Sequence, residues 1–445
     1  MGNIFTDSVV NKKQNVILVG IITRERDERE CEICLDELER LADTAGGKCV
    51  CRLTQARENP DCKTYIGSGK LIELKQLCRK FSADAVIFDD ELTPSQIRNL
   101  ENELCGDEDS EGEELEVTVI DRTMLILDIF ALHAQSGEGK IQVELAQLRY
   151  TIPRLSGKGG MLSRLGGGIG TRGPGESKLE SDRRHLHRRI TALEEQLREL
   201  EKNRNVKQGA RERSGIKKVA IAGYTNAGKS TLLNLMTGAG VLSEDKLFAT
   251  LDPTTRKYSL PCGLDILLTD TVGFIRNLPH HLIRAFRSTL DEVKFADIIL
   301  VIVDASDPQC ERQLEVTHKL LWDLGASEKR IIYVLNKCDI AGEISLSLST
   351  CPDNAALISA KTGEGIDTLI SLLEDAVTDG KTLEVFFIPQ KDSRVLNELY
   401  KDAVVSDVEY TASGTIVRAI ADNKTKGRLR QYIIGNGKDC YGEEE

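Results

Sequence analysis

One nine-residue stretch, GYTNAGKST at 223–231, constrains this 445-residue chain more than any other. Gly223 to Ser230 fit G-x-x-x-x-G-K-[ST]. The apolar run KKVAIAG precedes it at strand length, and KSTLLNLMTG follows as a predicted helix. A strand that turns sharply into a helix through glycines calls for an α/β layer, with the turn at the carboxyl edge of a mostly parallel sheet. Gly223 and Gly228 let the backbone wrap phosphates, with N–H groups pointing inward at a helix N-terminus. Lys229 sets a cation beside the outer phosphates, and the Ser230 hydroxyl is suited to Mg2+.

Alone, that pattern leaves many nucleotide hydrolases open. Three more stretches follow in fixed order, each at the end of a predicted strand. ILLTDTVGF ends on D-x-x-G, Asp270 to Gly273; the acid can hold Mg2+ through water, and the Gly273 N–H can sense a γ-phosphate. IIYVLNKCD ends on N-K-x-D, Asn336 to Asp339. A carboxylate there accepts from guanine N1–H and N2–H2, an edge that adenine lacks, so Asp339 selects guanine and argues against an ATPase. LISAK (357–361) follows, with the Ala360 N–H expected on the guanine carbonyl. KLFATLDPTTRKY lies where a switch loop must lie, and Thr250, Thr254 and Thr255 are all physical candidates to close over Mg2+ and the γ-phosphate.

The flanks organise around this centre. NVILVGII, CRLTQ, ADAVIFDD and VTVIDR alternate with helical patterns, which predicts an N-terminal α/β unit with a mainly parallel sheet. Ile141, Leu145, Leu148, Ile152 and Leu155 make one heptad seam, and Leu186, Ile190, Leu193, Leu197 and Leu200 a second. Pro153 should kink or end the first. Two seams joined by RLGGGIGTRGPGESKLE read as an antiparallel hairpin with a glycine-rich tip. Gly168, Gly170 and Gly173 mimic a dinucleotide fingerprint, but they follow a helix, so the required strand context is missing. After the central domain, strand, helix, strand and strand patterns predict a small α+β domain.

Composition bounds the partners. The net charge is −12, yet residues 151–213 carry fifteen Lys/Arg against eight Asp/Glu, a basic island suited to a polyanion. Residues 101–116 hold nine acids and no base, a solvated loop. Twelve cysteines without framework spacing read as reduced thiols. Cys31 and Cys34 form C-x-x-C, but their helical periodicity favours packing over zinc. No apolar run is long enough to span a membrane. The chain opens on M-G-x-x-x-[ST], a short acylation pattern that keeps peripheral membrane association beside the expected cytoplasmic location.

GGGIGTRGPGESKLE, FATLDPTTR and QVELAQLRYTIPRL, taken with the four motifs, resemble the HflX family of translation-factor-like GTPases over nearly the whole chain. The resemblance implies an N-terminal α/β domain (1–135), a helical hairpin (136–213), a Ras-like G domain with a mostly parallel sheet (214–382) and a small α+β domain (383–445). It implies a GTP hydrolase that uses Mg2+, binds the large (50S) ribosomal subunit and its rRNA, and separates stalled ribosomes; a monomer is expected. By the family pattern, GTP contacts fall on Gly223, Tyr224, Thr225, Asn226, Ala227, Gly228, Lys229 and Ser230. They continue on Phe248, Ala249, Thr250, Leu251 and Asp252, then Asp270, Thr271, Val272 and Gly273. Asn336, Lys337, Cys338, Asp339, Ser359, Ala360 and Lys361 complete them. Ser230 and Thr250 would ligate Mg2+, and Lys229, Thr250 and Gly273 would carry catalysis. Asn226 resembles the asparagine that holds K+ in potassium-activated GTPases, the other reading being a loop-stabilising side chain. Phe274 stands where Ras-like enzymes place the glutamine that orients water, so slow basal hydrolysis is expected. Arg164, Arg172 and Lys178 in the basic, glycine-rich segment are expected on rRNA. A GTP-dependent protein that remodels non-ribosomal RNA is the alternative.

Overall fold

Gln14–Ile22 form strand β1, and Val16 to Ile21 are buried without alternation, which explains the unbroken apolar run. The computed structural model describes residues 13–105, 116–155, 178–212, 216–238, 247–248, 251–277, 279, 282, 287–341, 354–378, 382–411, 413–421 and 423–436. The chain divides into two units. One comprises residues 1–209 with 244–252 and 276–289; the other comprises 210–243, 253–275 and 290–445.

In the first unit, β1 is followed by α1 (Glu28–Thr44), β2 (Gly47–Ala56), α2 (Ser68–Phe81), β3 (Ala85–Phe88), α3 (Pro94–Cys105), β4 (Thr118–Asp121) and α4 (Arg122–His133). The strand order is β2-β1-β3-β4 and every pairing is parallel. Asp27 starts α1 by accepting the Glu30 N–H at 2.7 Å, satisfying an orphan donor of the first turn. Cys31, Cys34, Leu35, Leu38 and Leu41 then turn inward, so the C-x-x-C pair belongs to the core. Burial pushes the Cys34 thiol up to about 11. No cluster of metal-ligating side chains occurs among the described residues.

Helix α5 (Gly137–Thr151) ends in a 3-10 turn, Ile152–Leu155, at Pro153. Helix α6 spans Lys178–Glu212. Leu145, Leu148 and Leu193 bury the seam, with Ile141, Leu186, Ile190 and Leu197 packed on it. Glu138, at the start of α5, pairs with Arg204 late in α6, and Arg149, near the end of α5, pairs with Glu194 earlier in α6. The two helices therefore run antiparallel, as the heptads predict. Lys178 opens α6, whereas Arg164 and Arg172 lie outside the described residues.

In the second unit, the elements are β5 (Lys217–Gly223), α7 (Lys229–Thr237), β6 (Thr254–Ser259), β7 (Asp265–Asp270), α8 (Arg287–Lys294, counted with this unit from Leu290), β8 (Ile298–Asp304), α9 (Cys310–Asp323), β9 (Arg330–Asn336), β10 (Ala355–Leu357) and α10 (Ile366–Thr378). The sheet order is β10-β9-β8-β5-β7-β6, parallel except for β6. Val219, Ile221, Leu268, Leu300 and Val334 lie in its core. The last segment, β11 (Thr382–Pro389), α11 (Ser393–Asp402), β12 (Val404–Tyr410), β13 (Gly414–Ala421), α12 (Asn423–Leu429) and β14 (Ile433–Asn436), makes an antiparallel sheet ordered β12-β13-β11-β14. Helix α12 and strand β14 escape a periodicity reading because NKTKGRL and IIGN are too short to show a period. No described helix is long and apolar enough to cross a membrane.

Candidate nucleotide site

Strands β5, β7, β8 and β9 end at Gly223, Asp270, Asp304 and Asn336, on one edge of the parallel part of the sheet. Open parallel sheets bind ligands at this edge. Glycines are required there by contact. A Cβ on Gly223 (φ 151°) would lie 2.3 Å from the Ile302 carbonyl oxygen. One on Gly228 (φ 95°) would lie 2.1 Å from Asn336 Nδ2. One on Gly273 would lie 2.7 Å from Thr225 Cγ2 and 2.9 Å from Lys229 Nζ. The phosphate loop thus touches both the D-x-x-G turn and the N-K-x-D turn.

Lys229 is buried and donates to the Tyr224 carbonyl at 2.7 Å. Burial lowers its ammonium to about 8, against the Asp270 carboxylate, which favours the charged form. Ser230 Oγ donates to Asp270 Oδ2 at 2.6 Å, and Asp270 is inaccessible to solvent. A hydroxyl and a carboxylate brought together are hard oxygen donors of the kind Mg2+ takes, so these residues fit the metal. Thr271 Oγ1 donates to the Ile221 carbonyl at 2.7 Å, fixing the turn onto β5. The Thr225 N–H donates to Phe274 O at 2.8 Å, and the Phe274 N–H donates to Gly223 O at 3.0 Å. Val272 and Phe274 are buried, Phe274 to 1% exposure, so residue 274 offers a solvent-borne nucleophile neither a polar atom nor an accessible face. Asn226 is exposed, at φ 61°.

Asn336 acts as a tie. Its Nδ2 donates to Ala227 O at 2.8 Å, and its Oδ1 accepts the Ala360 N–H at 2.9 Å. The Ala360 N–H, expected on a guanine carbonyl, is directed at Asn336 here. The Cys338 N–H donates to Ile358 O at 3.1 Å, and Lys337 pairs with Asp304. Asp339 and Lys361 are exposed, while Ser359 is buried and its Oγ accepts the Thr362 N–H at 3.2 Å.

Of the three switch candidates, Thr254 and Thr255 sit in β6, and Thr255 Oγ1 lies 3.0 Å from Thr269 Oγ1 of β7. Sheet pairing leaves them little freedom to swing. Ala249 and Thr250 lie outside the described residues. Their neighbours make contacts inside the first unit. Phe248 (φ 59°) is buried, and its ring meets Phe130 of α4 edge-on at 4.7 Å between centroids. Leu251 is buried. The Asp252 carboxylate accepts the Gln135 N–H (2.9 Å), the Ser136 N–H (2.7 Å) and the Ser136 hydroxyl (2.5 Å). Ser136 in turn caps α5 by accepting the Gly139 N–H at 2.9 Å. Asp304 and Ser136 were not singled out by the motifs. A strand-ending acid in IILVIVD and a Ser preceding a helical pattern are the signals that mark them.

Family models match three consecutive regions: "GTP-binding GTPase N-terminal" over 32–131, "GTP-binding GTPase Middle Region" over 133–211 and "50S ribosome-binding GTPase" over 218–337. The chain is 48% identical over 429 residues to a GTPase HflX of Caldanaerobacter subterraneus subsp. tengcongensis, covering 96% of each chain. It is 38% identical to the GTPase HflX of Escherichia coli, covering 87% of this chain and 88% of the relative. Among solved structures, a GTP-binding protein of Sulfolobus solfataricus in complex with GDP is 25% identical, covering 82% of this chain and 99% of the other, with a TM-score of 0.43.

Proposed function

The chain belongs to the HflX family of P-loop GTPases, and on that premise we propose that it is a slow GTPase accelerated by the large (50S) ribosomal subunit, where it separates stalled ribosomes. Phe274 carries this reading. Its backbone is stitched to the phosphate loop and its side chain is buried, so the chain supplies no water-orienting group at that position and turnover waits for a partner. The match of 218–337 to a ribosome-binding GTPase model and the basic island at 151–213 support rRNA as that partner, met by Arg164, Arg172 and Lys178.

The chain's own groups divide the work. Asp339, exposed at the end of the N-K-x-D turn, selects guanine. Asn336 holds the phosphate loop against the Ala360 turn; losing such a buried polar tie costs about 1–3 kcal/mol. Lys229 meets the phosphates from a buried position, where its charge acts with little screening. Ser230 and Thr250 would hold Mg2+, which draws charge from the phosphate oxygens when bound. The Gly273 N–H reads the γ-phosphate, and Asn226 is a K+ contact or, in the other reading, a loop-stabilising side chain. A ribosomal partner places the work in the cytoplasm, and a monomer suffices for it.

The test is single-turnover GTP hydrolysis with and without purified large subunits. Acceleration of about 100-fold or more is expected, within the range of supplied catalytic groups. An unchanged rate, with acceleration by free RNA instead, favours the RNA-remodelling alternative.

A further inference from the structure

Asp304 ends β8 in register with Asn336 of β9, yet it belongs to none of the four nucleotide motifs. Its side chain is 14% exposed and its carboxylate is divided between two tasks. Oδ2 lies 2.6 Å from Lys337 Nζ, while Oδ1 accepts the Ser306 N–H at 3.0 Å and the Ser306 hydroxyl at 2.5 Å. The Ala305 N–H donates to Asn336 O at 2.9 Å, so the turn that follows β8 is fastened to the turn that follows β9. Lys337 sits at φ 66°, a left-handed conformation that a residue with a side chain adopts only when its surroundings enforce it.

We propose that Asp304 is a positioning residue for nucleotide binding: it holds the Lys337 ammonium and so fixes the lysine's four-carbon stem beside the purine before the ligand arrives. The proposal rests on reading 336–339 as the guanine-binding turn. A lysine left free samples many rotamers, and ordering them on binding subtracts from affinity. Holding the charged end in advance leaves the apolar stem ready to cover the ring face. Asp304 has no part in the phosphate loop, so it should serve GDP and GTP equally.

The experiment is an affinity comparison in the full chain with fluorescent GDP and a non-hydrolysable GTP analogue. Asp304→Asn keeps an acceptor for Ser306 and removes the charge. Both Kd values should rise about tenfold, the equivalent of one ordered side chain. KM should rise by the same factor with kcat unchanged. Lys337→Met keeps the stem and removes the ammonium. In that background Asp304→Asn should add less than about twofold, because the partner is gone. An undiminished effect there makes Asp304 a merely structural residue and overturns the proposal, as does unchanged affinity in Asp304→Asn. If Asp304→Asn fails to fold, Lys337→Met alone decides: about tenfold weaker GDP binding is required, and wild-type affinity overturns the proposal. Wild-type protein with no preference for GDP over ADP would instead overturn the guanine-turn reading itself.

Discussion

At the carboxyl ends of the four-stranded sheet, Asp89 and Asp90 follow β3 and Asp121 ends β4. Arg122 Nη1 pairs with Asp89 at 2.7 Å, Arg26 pairs with the same carboxylate, and Arg122 also pairs with Glu37. Tyr65 donates to Asp90. Asp121 accepts the Leu92 N–H at 3.0 Å, the Met124 N–H at 2.9 Å and the Tyr150 hydroxyl. At the same ends of the six-stranded sheet, Asp270, Asp304 and Asn336 end three strands, glycines shape the turns at 223, 228 and 273, and Lys229 donates to a carbonyl. Both sheets present their carboxyl edge, but the first closes it with a network of arginines, acids and tyrosines. The second combines a few side-chain pairs, Ser230 with Asp270 and Lys337 with Asp304, with a glycine-lined turn and a buried Lys229 that has only a carbonyl as its hydrogen-bond acceptor among the described residues. Architecture supplies the place; the loops decide whether a ligand or the protein's own side chains complete it.

The largest effect expected from this contrast is on stability in the first sheet. Arg122→Met strips a partner from buried Asp89 and from Glu37 and should cost about 3–5 kcal/mol in urea unfolding of the full chain. A loss under about 1 kcal/mol would mean that this edge is as loosely satisfied as a ligand site. In the second sheet the equivalent change should fall on binding. Lys229→Met removes a buried cation whose desolvation opposes folding, so stability should hold or rise while GDP affinity drops about 100-fold or more. Unfolding as severe as that of Arg122→Met would erase the distinction.

A smaller effect is a slope with pH. Phosphate favours the ammonium form of Lys229, and the free protein loses that proton near pH 8. Below pH 8 the charge is already in place and GDP affinity should be flat. Above it, binding must take up a proton, and affinity should fall by up to about tenfold per pH unit. Titration calorimetry in two buffers of different ionisation enthalpy reads that proton directly. Lys229→Met should abolish the slope; a slope that persists assigns it to another group.

What the sequence reveals of this molecule follows from the range of the interactions. The strand-turn-helix of the phosphate loop, the strand end at Asp270 and the heptad seams are legible because their spacing is local: a strand ends, a turn begins, or a helix repeats every three or four residues. Thr255 looks like a switch threonine from its neighbours, and only its pairing with Thr269 across β6 and β7 ties it to the sheet. The Asn336 side chain joins Ala227 and Ala360, respectively 109 and 24 residues away, and no periodicity encodes such a tie. Asp304 escapes for the same reason, since its meaning lies in a neighbouring strand's turn. The arginines that neutralise Asp89 come from the turn after β1 and the start of α4, so the sequence shows acids at strand ends without showing that they are already paired.

The Asp252 contacts carry a consequence for how the chain is made. The cap of α5 is reinforced by a carboxylate 116 residues further along, and Phe248 arrives from the same late segment to cover Phe130. At roughly 5–20 residues per second, that segment leaves the synthetic machinery about 6–23 s after the helix it completes. Through that interval the Gln135 and Ser136 amides lack the carboxylate that accepts them in the finished fold. A fragment ending at residue 213 would remain in that condition, because its missing pieces are encoded beyond its end.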